Sequence, residues 1–312
     1  MAHAAAKRLI LDVDPGHDDA VAMLLALNWP GVEVPGIVAT AGNQTLQRTA
    51  RNARQVVALA GSNVPVSLGR DRPLLADLVT SEKVHGESGL EGIELEELGP
   101  VHQLSGADFL VETIRGSREP VTLVATGPLT NVAIAFLRAP DIAKRLERLV
   151  IMGGALDAGN VTPVSEFNFR TDPEAAKLVL EAGANATVIG LNVTHQALVI
   201  PPEVQAIKEL GSPQARAVAS WLEFYGDAYR KWYDWEGVPV HDACAVLEAL
   251  HPGLVTTAPL PVTVETGGQL SRGQLVADRR PAVDPPKPNA QVAVGIDRQD
   301  FMKLLMYGLE RY

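Results

Sequence analysis

The chain has 312 residues, 46% hydrophobic and 21% charged, a balance that fits a globular protein and excludes intrinsic disorder. Its net charge of −10 argues against nucleic acid or an anionic membrane surface as partner and leaves small molecules or cations. The single cysteine, Cys244, excludes a disulfide framework and a cysteine-rich zinc site; no apolar run approaches the roughly 18 residues of a membrane helix, and no signal peptide is read at the start, which predicts a cytoplasmic protein.

Strand-like and helix-like segments alternate along the chain. After a start at 1–7 expected to be flexible, the apolar run Lys7–Val13 predicts a strand and Asp18–Leu27 a helix. Val32–Ala39 reads as strand and Thr45–Ala60 as helix. Val121–Ala125 is a β-branched strand, followed after Gly127-Pro128 by a helical Leu129–Leu137. Arg148–Met152 and Thr187–Leu191 read as strands around the helix Pro173–Ala182, and Asp242–Leu250 as a late helix. The Pro-rich stretch Pro281–Pro288 reads as a loop because strand-like Gln291–Val294 follows it. This order predicts one α/β domain over 1–312, with a mainly parallel, mixed central sheet flanked by helices. Ligands of such sheets bind at the carboxyl ends of the strands. There stand Asp14–Asp19, Asn43, Thr126, Met152-Gly153-Gly154 and Asn192–His195.

The sharpest local signal is Asp12-Val13-Asp14-Pro15-Gly16-His17-Asp18-Asp19, four carboxylates in eight residues. Asp12 and Asp14 share one face of the strand by its two-residue period. Asp18 and Asp19 open a helix, where the macrodipole favours negative charge. Helix placement explains two acids; four converging acids need a cation or shifted pKa values. Oxygen-only donors suit a hard ion such as calcium or magnesium. The plainer reading is a solvated acidic turn.

These residues carry a resemblance to the calcium-dependent nucleoside hydrolases of the inosine–uridine type. The Asp-x-Asp-Pro-Gly-x-Asp-Asp segment is similar to that family's fingerprint. So, in order, are Gly42-Asn43, His85–Leu90, Thr126–Asn131, Met152–Gly154, Asn160 with Glu166-Phe167-Asn168, and His241-Asp242-Ala243. The resemblance implies a Rossmann-like fold and hydrolysis of ribonucleosides to free base and ribose. It implies Ca2+ as cofactor and a homodimer or homotetramer. It implies that Asp14 binds the ion and serves as general base, with Asp19, Asp242 and the Thr126 carbonyl as further ligands. Asp18, Asn160, Glu166 and Asn168 would hold the ribose hydroxyls, with Met152 lining that pocket and Asn43 orienting sugar and water. Asp12 would support the ligands from behind. Val13 departs from the Thr, Ser or Cys common there and should point away from the acids.

Cleavage of an N-glycosidic bond passes through an oxocarbenium-like sugar, which a ring of carboxylate and amide oxygens stabilises. The leaving base needs a proton. His241, beside the candidate ligand Asp242, has an unperturbed pKa near neutrality that suits this task. His85 resembles the family's second active-site histidine and is assigned to the base. His17, His102, His195 and His251 are taken as structural or surface residues, and Cys244 as a buried helical thiol. The aromatics of Trp221–Trp235 recur at helical spacing. They are read either as the core face of an amphipathic helix, taken for Trp221, or as an active-site lid over 221–239 in which Tyr225 and Tyr229 offer hydroxyls to the base. Two other readings compete. A dehalogenase-type phosphatase also starts with Asp-x-Asp, but wants Thr or Val where Gly16 stands and leaves Asp18-Asp19 unexplained. A non-catalytic ribose or nucleoside binder on the same fold would be expected to lose the base or an ion ligand, and Asp14, Asp19 and Asp242 are all present.

Overall fold

The apolar run Lys7–Val13 forms strand β1, which lies inside the main sheet and pairs with the strands Val32–Glu33, Ile37–Ala39 and Val121–Ala125. The computed structural model describes residues 7–281, 284 and 286–312. The expected flexible start thus lies outside the described residues except for Lys7, which opens β1. Of the expected Pro-rich loop, residues 282, 283 and 285 lie outside as well.

In chain order the other strands are β2 Val32–Glu33, β3 Ile37–Ala39, β4 Val66–Leu68, β5 Val121–Ala125, β6 Leu146–Met152, β7 Ala186–Ile189, β8 Leu198–Val199, β9 Val238–Pro239, β10 Val255–Leu260, β11 Val262–Val264, β12 Leu275–Ala277 and β13 Ala290–Ile296. Nine of these strands form the main sheet among the described residues, in the order β10-β13-β7-β6-β5-β1-β3-β4, with β2 also on β1. All its pairings are parallel except the edge pair β10–β13. Small antiparallel pairs, β8–β9 and β11–β12, stand apart from it.

Alternate residues of β1 feed two separate cores. Leu9, Leu11 and Val13 join one built on the helices His17–Leu27, Leu46–Leu59, Pro213–Tyr233, His241–Leu250 and Arg298–Leu309. Ile10 joins the other, under the helices Gly106–Gly116, Thr130–Arg138 and Pro173–Glu181. Both faces are therefore covered, as a parallel sheet requires. Val13 is buried in the first core, away from the acids that flank it.

Two expectations needed correction, and a third segment is extended by the structure. The expected strand Val32–Ala39 is split: β2 pairs with Lys7 and Arg8, β3 with Leu11–Val13, and Pro35 lies between. Proline has no N–H for the ladder, so the chain leaves and rejoins the same edge. The expected strand Thr187–Leu191 stops at Ile189, and Leu191–Thr194 turns into a short helix. Helix Pro213–Tyr233 begins well before the aromatic cluster, so the expected lid at 221–239 starts inside a continuous helix. No helix among the described residues is long and apolar enough to cross a membrane.

From β1 the chain moves outward to β3 and β4, then crosses to β5 on the other side of β1. The loops after β1 and β5 thus diverge and leave a crevice at their carboxyl ends, the switch point where such sheets bind ligands.

Candidate active site

Each strand end delivers a part of the site. β1 runs into Asp14–Asp19, β3 into Asn43, β5 into Thr126 and β6 into Met152. These converge on a cavity of about 150 Å³. Its lining comprises an acidic floor with Asp18, Thr126 and Asp242, the group Met152, Asn160, Glu166 and Asn168, and an aromatic wall of His85, Tyr225, Tyr229 and His241. Asn43 also lines it, while Asp14 and Asp19 are buried beneath the floor.

The acids are held by backbone and amide donors. Asp14 Oδ2 accepts the Asn43 N–H at 2.7 Å, while Asp14 Oδ1 is buried without a partner. Side chains at residues 42 and 127 would crowd that carboxylate: a Cβ on Gly42 would fall 2.1 Å from Oδ2, and one on Gly127 2.6 Å from Oδ1. Asp19 Oδ2 accepts from the Gly16 N–H (3.1 Å) and Asn43 Nδ2 (3.2 Å), and its Oδ1 from Thr126 Oγ1 (2.7 Å). Asn43 is itself fixed by Ser81 Oγ, which donates to its Oδ1 at 2.7 Å. Carboxylate oxygens of Asp18, Asp19 and Asp242 lie within 4.8 Å of one another. Asp18, expected at the sugar, is therefore also part of the tightest acidic cluster. Asp12 Oδ1 takes a long bond from Asn131 Nδ2 (3.4 Å) and its Oδ2 is unpartnered.

No lysine or arginine bonds to any of these acids among the described residues. Burial pushes all of them up, Asp12 to about 8, and their mutual repulsion adds to it for Asp14, Asp18 and Asp242. Burial raises Asp19 as well, against its hydrogen bonds. Buried carboxylates without a counter-charge, one with an orphaned oxygen, form a donor set that fits a hard cation. The Thr126 carbonyl accepts from Asn168 Nδ2 at 2.5 Å, which leaves its second lone pair.

Glu166 caps the helix Phe167–Thr171 and takes the N–H groups of Gly154 (2.8 Å), Asn168 (2.8 Å) and Phe169 (3.1 Å). Burial nonetheless pushes its carboxyl up to about 7. Asn168 Nδ2 also reaches the Met152 carbonyl (3.2 Å), and Asn160 Oδ1 is unpartnered.

On the aromatic wall, His241 Nδ1 contacts Thr194 Oγ1 at 2.7 Å and its Nε2 contacts the Tyr229 hydroxyl at 3.0 Å. The Tyr229 and Tyr225 hydroxyls are 3.2 Å apart. Burial holds the His241 imidazole well below its ordinary pKa and both phenols above theirs. Both ring nitrogens of His241 are thus engaged, although the ring itself lines the cavity beside Tyr229.

Every expected site residue falls in or directly under this cavity. Several partners were missed. His17, taken as structural, is buried with its Nδ1 3.1 Å from His85 Nδ1, and its ring stacks on Tyr225. Trp232 and Tyr233 line the cavity mouth. Thr194 lies in the segment Asn192–His195 expected near a strand end, and the short helix Leu191–Thr194 carries it to His241. Trp232 and Tyr233 fall within the expected lid segment 221–239, whereas His17 carries no such signal. The remaining readings hold: Trp221 is core, Cys244 is a buried helical thiol that burial pushes up, and His251 is exposed.

Comparison with known proteins agrees with this geometry. The family model described as inosine-uridine preferring nucleoside hydrolase matches residues 9–303. A pyrimidine-specific ribonucleoside hydrolase RihA from Salmonella paratyphi A is 41% identical over 308 residues, covering 97% of this chain and 98% of the relative. The Citrobacter koseri protein of the same name is 42% identical over the same spans. Among solved structures, a purine-preferring ribonucleoside hydrolase from Gardnerella vaginalis superposes with a TM-score of 0.91 at 34% identity, covering 97% of this chain and 98% of that one. The chain belongs to the family of inosine-uridine preferring nucleoside hydrolases and is a ribonucleoside hydrolase.

Proposed function

We propose that the cation of this hydrolase is calcium, that Asp14 is the general base, and that the leaving base is protonated along the His241–Tyr229–Tyr225 chain. One observation carries the reading: Asp14 keeps a buried, unpartnered oxygen beside a carboxylate cluster that no cationic side chain among the described residues neutralises. Asp14, Asp19, Asp242 and the Thr126 carbonyl are the oxygens that would hold the ion. Bound calcium supplies positive charge that offsets the repulsion of the acids and lowers the pKa of a coordinated water.

Asn43 fixes one oxygen of Asp14, so the other is left to take a proton from the attacking water. Asp18, Asn43, Asn160, Glu166 and Asn168 hold the ribose hydroxyls beside Met152. Asn160 Oδ1 is free for this, and Asn168 spends its Nδ2 on the protein, which leaves its Oδ1 as an acceptor. The same oxygens face the positive charge that develops on the sugar. His85 contacts the base from the side of the cavity shared with the two tyrosines. His241 lines the cavity, but its Nε2 is engaged by the Tyr229 hydroxyl, so its proton passes through that hydroxyl.

The segment 221–239 acts as a lid, whose inner face is Tyr225 and Tyr229 and whose rim is Trp232 and Tyr233. A pyrimidine ribonucleoside is the favoured substrate, supported by the 41–42% identical relatives that carry that name. Release of free ribose from uridine, against inosine, tests the reading. Chelation should abolish it and calcium should restore it, whereas full turnover by metal-free protein sinks the role of the ion.

A further inference from the structure

The hairpin β11–β12 and its connecting loop 265–274 belong to neither the main sheet nor the cavity lining. They pack behind the segment that carries Asn160, Glu166 and Asn168. We infer that this hairpin is a positioning element for that segment and that Arg272 is the residue that makes the link. The inference rests on the ribose roles proposed above.

Ser165 organises the segment. Its carbonyl accepts the N–H groups of Asn160 (3.2 Å), Val161 (3.2 Å) and Thr162 (3.4 Å), and it directly precedes Glu166. Its own hydroxyl donates to the Arg272 carbonyl at 2.8 Å. The Arg272 guanidinium in turn bonds both oxygens of Glu174, at 2.7 and 2.8 Å, and reaches the Thr266 carbonyl within its own loop. Bidentate, half-buried pairs of this kind fix direction as well as distance. Glu174 stands in the helix Pro173–Glu181, which follows the Glu166-capped turn Phe167–Thr171 without a gap longer than Asp172.

Arg272 therefore ties the hairpin to the helix by its side chain and the ribose-facing segment to the hairpin by its main chain. The neighbouring residues close the contact. Gly273 has φ +85°, and a Cβ there would fall 2.6 Å from the Arg170 Cα. Leu275 packs against Gly154, whose N–H is held by Glu166. Touching no substrate, the hairpin acts through Ser165 and Glu166.

The test uses the calcium-loaded enzyme with Arg272→Ala and the charge swap Arg272→Glu/Glu174→Arg. Amide hydrogen exchange at Asn160, Val161 and Thr162 reads the link directly. It should accelerate at least about tenfold in Arg272→Ala. KM should rise about tenfold, by the same factor for uridine and p-nitrophenyl riboside because they share the sugar, with calcium affinity unchanged. The charge swap should recover both readouts. Unchanged exchange, or a KM effect confined to uridine, overturns the inference. Where Arg272→Ala does not fold, Ser165→Ala removes the hydroxyl alone and carries the same expectations. Glu166→Gln separates the two layers: if it leaves KM unchanged while Arg272→Ala still speeds exchange, the ribose role of Glu166 falls and the link stands.

Discussion

The acidic floor and the aromatic wall of the cavity are built by different means. The floor sits where parallel strands end, and its carboxylates are fixed by donors from those same strand ends: Gly16 N–H, Asn43 N–H and Thr126 Oγ1. The wall is a relay of rings and hydroxyls from distant segments, in which Thr194, Tyr225, Tyr229 and His241 meet through contacts of 2.7–3.2 Å. In the roles proposed above, the strand ends place the groups that act on the sugar, and the helix Pro213–Tyr233 with its following loop places those that meet the leaving base. The first region should therefore govern turnover of any riboside, and the second only those whose leaving group needs a proton.

Asp14→Ala attacks the floor and should lower kcat by at least about 10³ for uridine and p-nitrophenyl riboside alike, since base and ion ligand go together. A loss under tenfold, or one seen with uridine alone, would break the distinction at its strongest point. On the wall, His241→Ala should slow uridine by about 10² while leaving p-nitrophenyl riboside near the wild-type rate, and Tyr229→Phe should do the same more weakly. Calcium affinity must be measured in parallel, because Asp242 adjoins His241 on one helix. Equal slowing of both substrates with the ion still bound removes the relay.

A smaller effect separates sugar from base within the floor. Replacing uridine with 2′-deoxyuridine leaves polar groups near Asp18 and Asn168 unpaired, at about 1–3 kcal/mol in the transition state. Comparison of kcat/KM for the two nucleosides checks this, and equal values refute the assignment. The smallest effect is on stability. Burial raises Glu166 to about 7 and Asp12 to about 8, so the folded, metal-free chain binds more protons than the unfolded one across the intervening range. Stability is then fully present below the ordinary carboxylate pKa values and is lost as pH rises through 7–8. Thermal melts without metal should fall in Tm over that range, and calcium should raise Tm most at its upper end. A flat profile would mean that Glu166 and Asp12 do not hold extra protons in the fold.

Much of the floor was legible because its residues are close in sequence or mark a strand end. Four acids in Asp12–Asp19 announce themselves, and Thr126 and Met152 follow β-branched runs whose ends are easy to place. The wall was harder. Tyr225 and Tyr229 share a helical face with Trp221, yet Trp221 is sealed in the core while the tyrosines reach the cavity. Periodicity says which side chains share a face but not where along the helix that face leaves the core.

The chain's own order of residues determined the alternation of strands and helices, the acid-rich turn after β1 and the family to which these motifs belong, because each is a local pattern of spacing and residue type. Tertiary structure alone decided that Asp18 joins Asp19 and Asp242, that Pro35 splits one expected strand into two, that His17 backs His85, and that the Tyr229 hydroxyl meets His241 Nε2. Each of these depends on where distant segments pack. Packing is set by the summed burial of both cores and by the hydrogen bonds that buried polar groups must find, which no local pattern encodes.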